Sequence, residues 1–547
     1  MPHREQPQAK DKLIFAYLCP ILVQKSLLRS RLNSSVDATI KDKTGRLISF
    51  LFAFLLFYSA VRNILKASLR HFWFDEICTW ILTHQPNLSS IWRALMHAAD
   101  SQPPPFYLVE KLSSHFIASD HIAFRLPSIL GFCVMQWCLF IWLKRRHSAA
   151  VSFAASLLPF LTPLYSIYAI EARGYSLAAA FLCLALVSYQ RLPDSRWTLI
   201  LGFSLIAAQS SHFYSFIMMT PFFMAEAVFW LKAKSFRAPV WGALFSGFLP
   251  LIAFYPVLSH VKAYYSEHPV MMHPTLFGTL HIYGWLFGAA RAASISPYLP
   301  TVLSSAFAVG AVVAAAFLLF RSFRANSDHA VLCENVLIAG FLFLPVILFV
   351  VIRITHGVMA PRYLLSVTFG IVFVAARGLA FLNRKSVLLL GALLVANIVI
   401  LDSEFWFSYY GAYELGFREA KPLEELVAKA GHVDLPVVVS DGHDYLETFH
   451  YARPEWRQRL TFLADPSAAM AFGRSDFNDK ELLALRDFAP LRVFDYSDFR
   501  SAHTPFLLYS DPKEENDPDW FVAHLQADGW TLQKLTSAGN RTVFLVN

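Results

Sequence analysis

The sequence predicts a polytopic α-helical membrane protein that carries a soluble α/β domain at its C-terminal end. The first observation is composition: 56% of the 547 residues are hydrophobic and only 16% are charged. The second is a series of apolar runs close to the length that a bilayer requires. The third is a change after residue 401, where charges and short strand patterns become frequent. Together they exclude a disordered chain and an ordinary cytosolic enzyme.

Eleven apolar segments within a module of residues 47–401 are predicted to cross the membrane. Each is close to the roughly 20 residues that span a bilayer. They lie at residues 48–65, 122–143, 149–168, 174–190, 197–212, 214–231, 240–258, 299–320, 334–352, 362–380 and 386–401. Residues 1–46 are polar and basic, and we expect them to form a cytoplasmic tail.

The distribution of charge predicts the orientation. Residues 1–401 contain 33 basic and 15 acidic side chains, whereas residues 402–547 contain 14 basic and 24 acidic ones. The basic residues concentrate in alternate loops, such as Lys144–Arg146 and Arg384–Lys385, which the positive-inside rule assigns to the cytoplasm. The N-terminus is therefore predicted inside and the C-terminal domain outside. This rule accounts for the basic charge, so we expect no nucleic-acid partner.

Two of the predicted outer loops are long, at residues 66–121 and 259–298. The first is predicted to contain two amphipathic helices, at about 76–98 and 104–118, separated by consecutive prolines. Its aromatic residues favour a position at the membrane surface. They are Phe72, Trp73, Phe74, Trp80, Trp92, Phe106 and Tyr107.

Residues 402–547 are predicted to form an outer soluble α/β domain. Strand patterns occur in LPVVVSD, RLTFLAD and TPFLLYSD, helix patterns in HDYLETFHYA and DPDWFVAHLQADGW, and a hairpin turn is expected at Ala538–Asn540. All 6 cysteines precede this region, so it is not a disulfide-stapled domain. No glycine-rich nucleotide-binding fingerprint follows any predicted strand.

Asp75 and Glu76 are the first candidates for chemistry, because acidic residues are scarce before residue 402 and are costly near a membrane. The pair lies among aromatic residues just past the first predicted span. Adjacent, desolvated carboxylates have a raised affinity for a proton, a metal or another cation. The alternative interpretation is that Asp75 only caps a helix that begins at Glu76.

Three further outer positions carry charged candidates. Asp100 stands before a helix start led by Pro104, where it either caps the helix or takes part in the site. Glu171 and Arg173 form either an anchor at the membrane surface or groups that face a polar cavity. Arg362 opens the tenth predicted span, where it either extends to the interface or holds a phosphate with its planar guanidinium.

Five strings resemble the bacterial GT-C membrane glycosyltransferases. In chain order they are WFDEICTW, DSQPPPFYLVEKL, FRLPSILGF, YAIEARGYSL and APRYLL, and the likeness covers residues 48–401. The resemblance is to the group of protein mannosyltransferases, aminoarabinose transferases and lipopolysaccharide core galacturonosyltransferases. It implies a GT-C type fold with an outer C-terminal domain.

The resemblance also implies a function. It implies inverting transfer of one sugar from a polyprenyl-phosphate-linked donor to a glycan, lipid or protein acceptor on the outer face of the plasma (inner) membrane. Asp75 is implied as the general base, with Glu76 beside it. The cavity residues that it implies are Arg125, Glu171, Arg173, Arg362 and Tyr363, and its loop element contains Asp100, Pro104 and Tyr107. Arg362 and Arg173, or a divalent metal, are expected to meet the charge that develops on the leaving phosphate; no cofactor is certain.

Two other functions stay open at this point. One is a transporter or flippase for lipid-linked sugars, which predicts pseudo-symmetric halves with broken helices at the midplane. The other is a catalytically inactive protein of envelope-glycan assembly, in which Asp75 is only a helix cap. The carboxylates in the first outer loop and the outer α/β domain favour the enzyme.

Overall fold

A computed structural model of the chain describes residues 43–265, 275–286, 295–296, 298–324, 328–355, 360–416, 420–502, 505–512 and 519–547. The predicted cytoplasmic tail lies outside the described residues, apart from residues 43–46, which belong to the first helix. Parts of the predicted second outer loop, 259–298, also lie outside them.

Apolar helices dominate the chain up to residue 416. Five helices in the described part are long and apolar enough to cross a membrane, and a pair bent by 59° adds a sixth candidate span. The five are Lys43–Leu69, Asp120–Lys144, Ser215–Ala233, Leu299–Ser322 and Arg384–Leu401, and the bent pair is His329–Leu342 with Leu344–Thr355. The multi-pass helical architecture predicted from composition is thereby confirmed, and the count of eleven spans stays a prediction.

Several predicted spans consist of more than one helix because proline interrupts them. Proline lacks a backbone N–H and fits the first turn of a helix, so a new helix begins at such a residue. Pro163 opens the helix Pro163–Tyr168, and Pro345 follows the bend in the pair described above. The remaining helices of this part are Ala149–Ser156, Leu158–Leu161, Tyr175–Tyr189, Ser195–Ser211, Ala238–Ser246, Leu249–Ala253, Tyr255–Tyr264, Leu276–Leu286, Pro361–Leu364 (a 3-10 helix) and Val367–Leu379.

The helix Leu126–Lys144 packs closely against the helix Tyr175–Tyr189. Gly131 permits this, since a Cβ atom there would lie 2.9 Å from the backbone of Ser176. Small residues at helix contacts let backbones approach each other inside a membrane, where van der Waals packing drives association. This contact fixes the base of the predicted outer face on which the candidate residues lie.

The loop of residues 66–121, called the first outer loop after its predicted side, contains the helices α2 (Phe74–Thr83), α3 (Leu88–Met96) and α4 (Pro104–Phe116). They follow the first apolar helix, α1 (Lys43–Leu69). The predicted single helix at 76–98 is wrong, because Asn87 starts a new helix by accepting the Ser90 N–H at 2.9 Å. The predicted helix at 104–118 is confirmed as α4.

The described C-terminal residues form a six-stranded sheet from β1 (Val437–Val439), β2 (Leu460–Ala464), β3 (Val493–Asp495), β4 (Phe506–Ser510), β5 (Leu532–Ala538) and β6 (Arg541–Val546). Their order is β3-β2-β1-β4-β6-β5. Strands β1 to β4 are parallel to one another, whereas β6 pairs antiparallel with both β4 and β5. The predicted hairpin is confirmed, with Ala538 opposite Arg541 and Gly539 at φ +59°.

Helices precede this sheet and connect its strands along the chain. The helix Arg384–Gly416 runs past residue 401, the predicted end of the membrane module. The others are Ala420–Ala430, Gly442–Tyr451, Pro454–Arg457, Pro466–Ala468, Ala469–Gly473 (a π-helix), Phe477–Leu485, Tyr496–Ala502 and Trp520–Ala527. Strands alternating with helices confirm the predicted α/β character.

The C-terminal domain lies directly on the first outer loop. The Phe72 N–H donates to the Tyr451 hydroxyl at 2.6 Å, and the Phe74 N–H donates to a Glu447 carboxylate oxygen at 3.1 Å. Apolar residues of both parts share one buried cluster. Phe72 and Phe74 are consequently buried, so their expected position at the membrane surface is wrong; the domain covers them instead.

Candidate active site

Asp75 lies in the first turn of α2, which begins at Phe74 with Trp73 as the preceding residue. It therefore does not cap a helix that begins at Glu76, and that interpretation is wrong. The Asp75 side chain is 11% exposed. Its Oδ2 accepts no hydrogen bond from any described residue. The positive end of the helix dipole favours an acidic side chain in the first turn, so the position suits Asp75.

Two arginines face the free oxygen of Asp75. The distance from Oδ2 to Arg173 Nη2 is 3.6 Å, and to Arg362 Nη2 it is 3.9 Å. Both distances exceed that of a direct hydrogen bond, so the charges attract without occupying the oxygen. The Asp75 carboxylate is therefore attracted by two cations, while its Oδ2 stays without a hydrogen bond from the described residues.

Arg173 is held in place by hydrogen bonds of its Nη1, one of them to the Asp75 carbonyl at 3.3 Å. Its Nη1 donates to Asp100 Oδ2 at 2.7 Å and to Thr79 Oγ1 at 3.1 Å. Asp100 in turn accepts the Ser101 N–H at 2.6 Å. The residue before α4 is Pro103, so Asp100 is not the cap of that helix. The interpretation of Asp100 as a member of the charged cluster is the one that fits this geometry.

Arg362 lies against an aromatic wall. It belongs to the helix Pro361–Leu364, and its guanidinium lies 6.0 Å from the Tyr175 ring and 5.6 Å from the Tyr363 ring. Tyr363 stacks on Tyr214 with a 4.1 Å centroid separation. The Nε of Arg362 has no hydrogen-bond partner among the described residues, so the protein uses only part of this guanidinium group. Such a group can bind an anion from outside.

Glu171 lies in the turn before the helix Tyr175–Tyr189, and it is buried. Its Oε1 is 3.8 Å from Arg70 Nη2. Burial raises the pKa of this carboxyl to about 8, and the charge of Glu76 adds to the effect. In the same turn, a Cβ at Gly174 would lie 1.9 Å from the Ser211 carbonyl, so only glycine fits there.

Glu76 and Arg125 are brought together, but not at the free oxygen of Asp75. Arg125 Nε and Nη2 donate to the two Glu76 oxygens at 2.7 and 2.6 Å, and neither side chain is exposed. Burial alone would raise the pKa of Glu76, but the charge and hydrogen bonds of Arg125 lower it overall. Glu76 also accepts the Ala172 N–H at 2.9 Å. This pair fixes α2 to the neighbouring helix and to the turn that carries Arg173.

The loop element lies beside the cluster. Pro104 is the first residue of α4, and Tyr107 is fully buried next to Asp100. Tyr175, His212 and Tyr214 belong to the aromatic wall but are not among the residues predicted from the sequence. The sequence could have identified them, because polar aromatic rings at the predicted outer ends of apolar spans favour a functional or interfacial position.

A divalent metal was left open by the sequence. Within the described ranges, no group of three or more histidine, cysteine, aspartate or glutamate side chains is placed to hold a metal ion. The cationic side chains paired with Asp75 in the described residues are those of Arg173 and Arg362.

Solved structures share this architecture. The structure of ArnT from Cupriavidus metallidurans bound to undecaprenyl phosphate superposes with a TM-score of 0.52 at 13% identity, and covers 91% of this chain and 97% of that chain. The same protein in the apo state gives a TM-score of 0.51 at 13% identity, with the same coverage. The chain has the GT-C fold. No protein-family model and no curated protein matches the sequence, so the GT-C assignment stands on the three-dimensional likeness.

The GT-C fold confirms the resemblance seen in the sequence and the polytopic architecture with an appended domain. ArnT is an aminoarabinose transferase of the GT-C class, one of the groups to which the five strings are similar. At this level of identity the likeness concerns the fold. What this chain does with the fold depends on its own residues around Asp75.

Proposed function

We propose that the protein is a glycosyltransferase that moves one sugar from a polyprenyl-phosphate-linked donor to an acceptor on the outer face of the plasma (inner) membrane. The acceptor is a glycan, a lipid or a protein. The observation that carries the proposal is a nearly buried Asp75 carboxylate with an unoccupied oxygen, placed between Arg173 and Arg362 in a GT-C fold.

The chemistry follows from where charge is gained and lost. The acceptor oxygen forms a bond to the anomeric carbon while the bond from that carbon to the phosphate oxygen breaks, which inverts the configuration. The acceptor hydroxyl proton passes to Asp75. The departing polyprenyl phosphate gains a second negative charge, and Arg362 and Arg173 stabilise it. These two arginines therefore favour the transition state over the bound donor.

The buried ion pair of Glu76 and Arg125 has a structural role in the proposed reaction. Glu76 is fully engaged by Arg125 and by the Ala172 N–H, so no oxygen of it is left for the substrate. We assign it a positioning role and not a catalytic one. The ion pair sets the direction of α2 and thereby the position of Asp75 relative to Arg173. The reaction requires this position to be accurate to within a fraction of an ångström.

The nature of the carrier is supported by two observations. ArnT, which shares the fold, has been seen with undecaprenyl phosphate. The described helices include several that are apolar enough to lie in a bilayer, where a long isoprenoid tail is soluble. We place the N-terminus in the cytoplasm and the C-terminal domain outside, as the distribution of basic residues predicts.

The proposal is tested by mass analysis of envelope glycans and glycolipids from cells that lack the protein and carry one of three plasmids. Wild type and Asp498→Asn, an exposed position on the C-terminal domain, are expected to restore a monosaccharide that is missing without the protein. Asp75→Asn, present in the membrane in equal amount, is expected not to restore it. Full restoration by Asp75→Asn would refute the assignment of the base. No difference between cells with and without the protein would refute the transferase.

A further inference from the structure

A cavity of about 320 Å³ lies among four apolar helices, away from the Asp75 site. The helix Leu126–Lys144 begins directly after Arg125 and ends beside this cavity, which Trp142 and Arg146 line. That helix has 19 residues and is therefore about 28 Å long, so the cavity and the candidate active site lie at opposite ends of it. The volume is within the range of about 300–1,000 Å³ that is usual for ligand sites. The cavity is consequently a candidate for a second, separate site.

Arg237 lines the cavity and is held in a fixed direction. Its Nε donates to Glu226 Oε1 at 3.0 Å, and its Nη2 donates to the other oxygen of that carboxylate. The guanidinium lies 3.7 Å from the centroid of the Phe229 ring, and the Tyr189 hydroxyl donates to Glu226 Oε2 at 3.2 Å. These contacts leave the Nη1 group of Arg237 without a hydrogen bond within the described residues. Its two N–H groups are thus available to a ligand.

Arg146, the second arginine of the lining, is held through one atom. Its Nε donates to Glu334 Oε2 at 2.8 Å, and the Gln190 amide donates to the other oxygen of Glu334 at 3.2 Å. The Arg146 side chain is 39% exposed. Neither of its Nη groups donates to a residue that the structure describes. Arg146 therefore also keeps N–H donors for a molecule that enters the cavity.

The charges at the cavity do not cancel. The charged groups that line it or act on its lining are four cations, Arg146, Arg237, Arg321 and Arg377, and three carboxylates, Glu226, Asp328 and Glu334. One positive charge is left among these described residues. A phosphodiester carries one negative charge and balances it, whereas a phosphate monoester carries about two.

We propose that this cavity is a second ligand site, which binds the phosphodiester headgroup of an anionic phospholipid. The free Nη groups of Arg146 and Arg237 donate charge-assisted hydrogen bonds to the phosphate oxygens. Trp142, Tyr189 and Phe229 provide the aromatic lining that is typical of the boundary between headgroups and acyl chains. A basic cavity between membrane helices, at the end predicted to be cytoplasmic, suits a lipid headgroup. This inference does not depend on the proposed function.

The test uses the full-length protein in detergent and measures dissociation constants by native mass spectrometry. The probes are short-chain phosphatidylglycerol, which is anionic, phosphatidylcholine, which has the same phosphodiester but no net charge, and glycerol 3-phosphate as a soluble source of phosphate. Wild type is expected to bind phosphatidylglycerol about tenfold more tightly than phosphatidylcholine, since one charge-assisted contact contributes an effect of this size. Glycerol 3-phosphate is expected to bind more weakly than phosphatidylglycerol.

Four variants locate the site. Arg146→Gln is expected to lose the preference for phosphatidylglycerol. Ala330→Trp is expected to lose it too, because a large ring at this exposed lining position fills the cavity without changing any charge. Arg196→Gln is the matched control, since Arg196 is exposed and lies outside the lining. It should keep the preference, and so should Arg362→Met, whose change lies at the Asp75 site.

Equal binding of the two lipids by wild type would overturn the proposal, and so would a preference that survives in Ala330→Trp. Loss of the preference in Arg362→Met would assign the bound lipid to the Asp75 site instead. Binding of glycerol 3-phosphate without binding of phosphatidylglycerol would show that the ligand is a soluble phosphate ester and not a lipid. If Arg146→Gln does not fold, Ala330→Trp alone decides.

Discussion

Arg125 and Glu76 form an ion pair in which neither side chain reaches the surface. The five N–H groups of the Arg125 guanidinium are all used, two on Glu76 and three on the backbone carbonyls of Ala67, Arg70 and His71. The pair therefore joins the end of α1, the start of α2 and the helix Leu126–Lys144. The Arg125–Glu76 ion pair therefore determines the orientation of the Asp75 side chain.

We predict that Glu76→Gln lowers the free energy of unfolding by about 3–5 kcal/mol, because it leaves the buried Arg125 charge without its counter-ion. The measurement is the thermal unfolding midpoint of the full-length protein in detergent. The folded pKa of Glu76 lies below its unfolded value. The pair's contribution to stability is thus present above the unfolded pKa and is lost as the pH falls through the folded pKa.

The control for this prediction is a double-mutant cycle. Arg125→Met alone should be about as damaging as Glu76→Gln, whereas Arg125→Met combined with Glu76→Met should lie closer to wild type than either single variant, because no unpaired charge remains. Additive losses would show that the two side chains stabilise the fold independently.

Arg362 provides the second prediction. Arg362→Met is expected to weaken the binding of undecaprenyl phosphate about tenfold to a hundredfold, since a charge-assisted hydrogen bond to a phosphate is lost. Arg362→Lys should recover part of the affinity by its charge alone. Arg93 is an exposed arginine on α3 of the same outer loop, so Arg93→Met serves as the control and should bind normally. If Arg362→Met and Arg93→Met bind undecaprenyl phosphate with equal affinity, Arg362 does not contribute to phosphate binding.

The sequence predicted the membrane character, the C-terminal α/β domain and several members of the charged cluster. Hydropathy and charge act locally, so Asp75, Asp100 and Arg173 could be selected as scarce charged groups on one predicted side. The sequence also allowed the prediction that Glu76 and Asp75 have different neighbours. Successive side chains on a helix point about 100° apart, so the two carboxylates cannot face the same groups.

Other features depend on tertiary contacts that no local pattern encodes. Glu481 lies in FNDKELLAL, an ordinary amphipathic pattern in which a glutamate is expected to face water. Only the docking of the C-terminal domain buries it next to α2. The same docking turned Phe72 and Phe74 from predicted membrane-surface residues into core residues. The strand Val493–Asp495 was missed, because its residues VFD lack the continuous apolar run that marks the equally short strand Val437–Val439.

Glu171 makes stability depend on pH near neutrality, which is the third prediction. Its folded pKa is raised to about 8. A carboxyl with a raised folded pKa contributes stability that is fully present below the unfolded pKa and is lost as the pH rises through the folded value. The wild-type unfolding midpoint should therefore fall between about pH 5 and pH 9.

The variant Glu171→Gln, which stays neutral, is expected to show a smaller fall over the same range. Glu424→Gln is the control, since its partner Arg453 is mostly exposed and the ion pair contributes little. An unchanged pH dependence in Glu171→Gln would contradict the assignment of this titration to Glu171.

The fourth prediction concerns the contact between the C-terminal domain and the first outer loop. Tyr451→Phe removes the hydroxyl that accepts the Phe72 N–H at 2.6 Å, and a hydrogen bond of this kind contributes about 1 kcal/mol. We expect about fivefold faster hydrogen exchange of the Phe72 amide. Tyr445→Phe is the matched control, because Tyr445 lies on the same helix but its hydroxyl accepts the Arg492 N–H inside the domain at 2.9 Å. Equal exchange of the Phe72 amide in both variants and wild type would show that this hydrogen bond does not hold the domain on the loop.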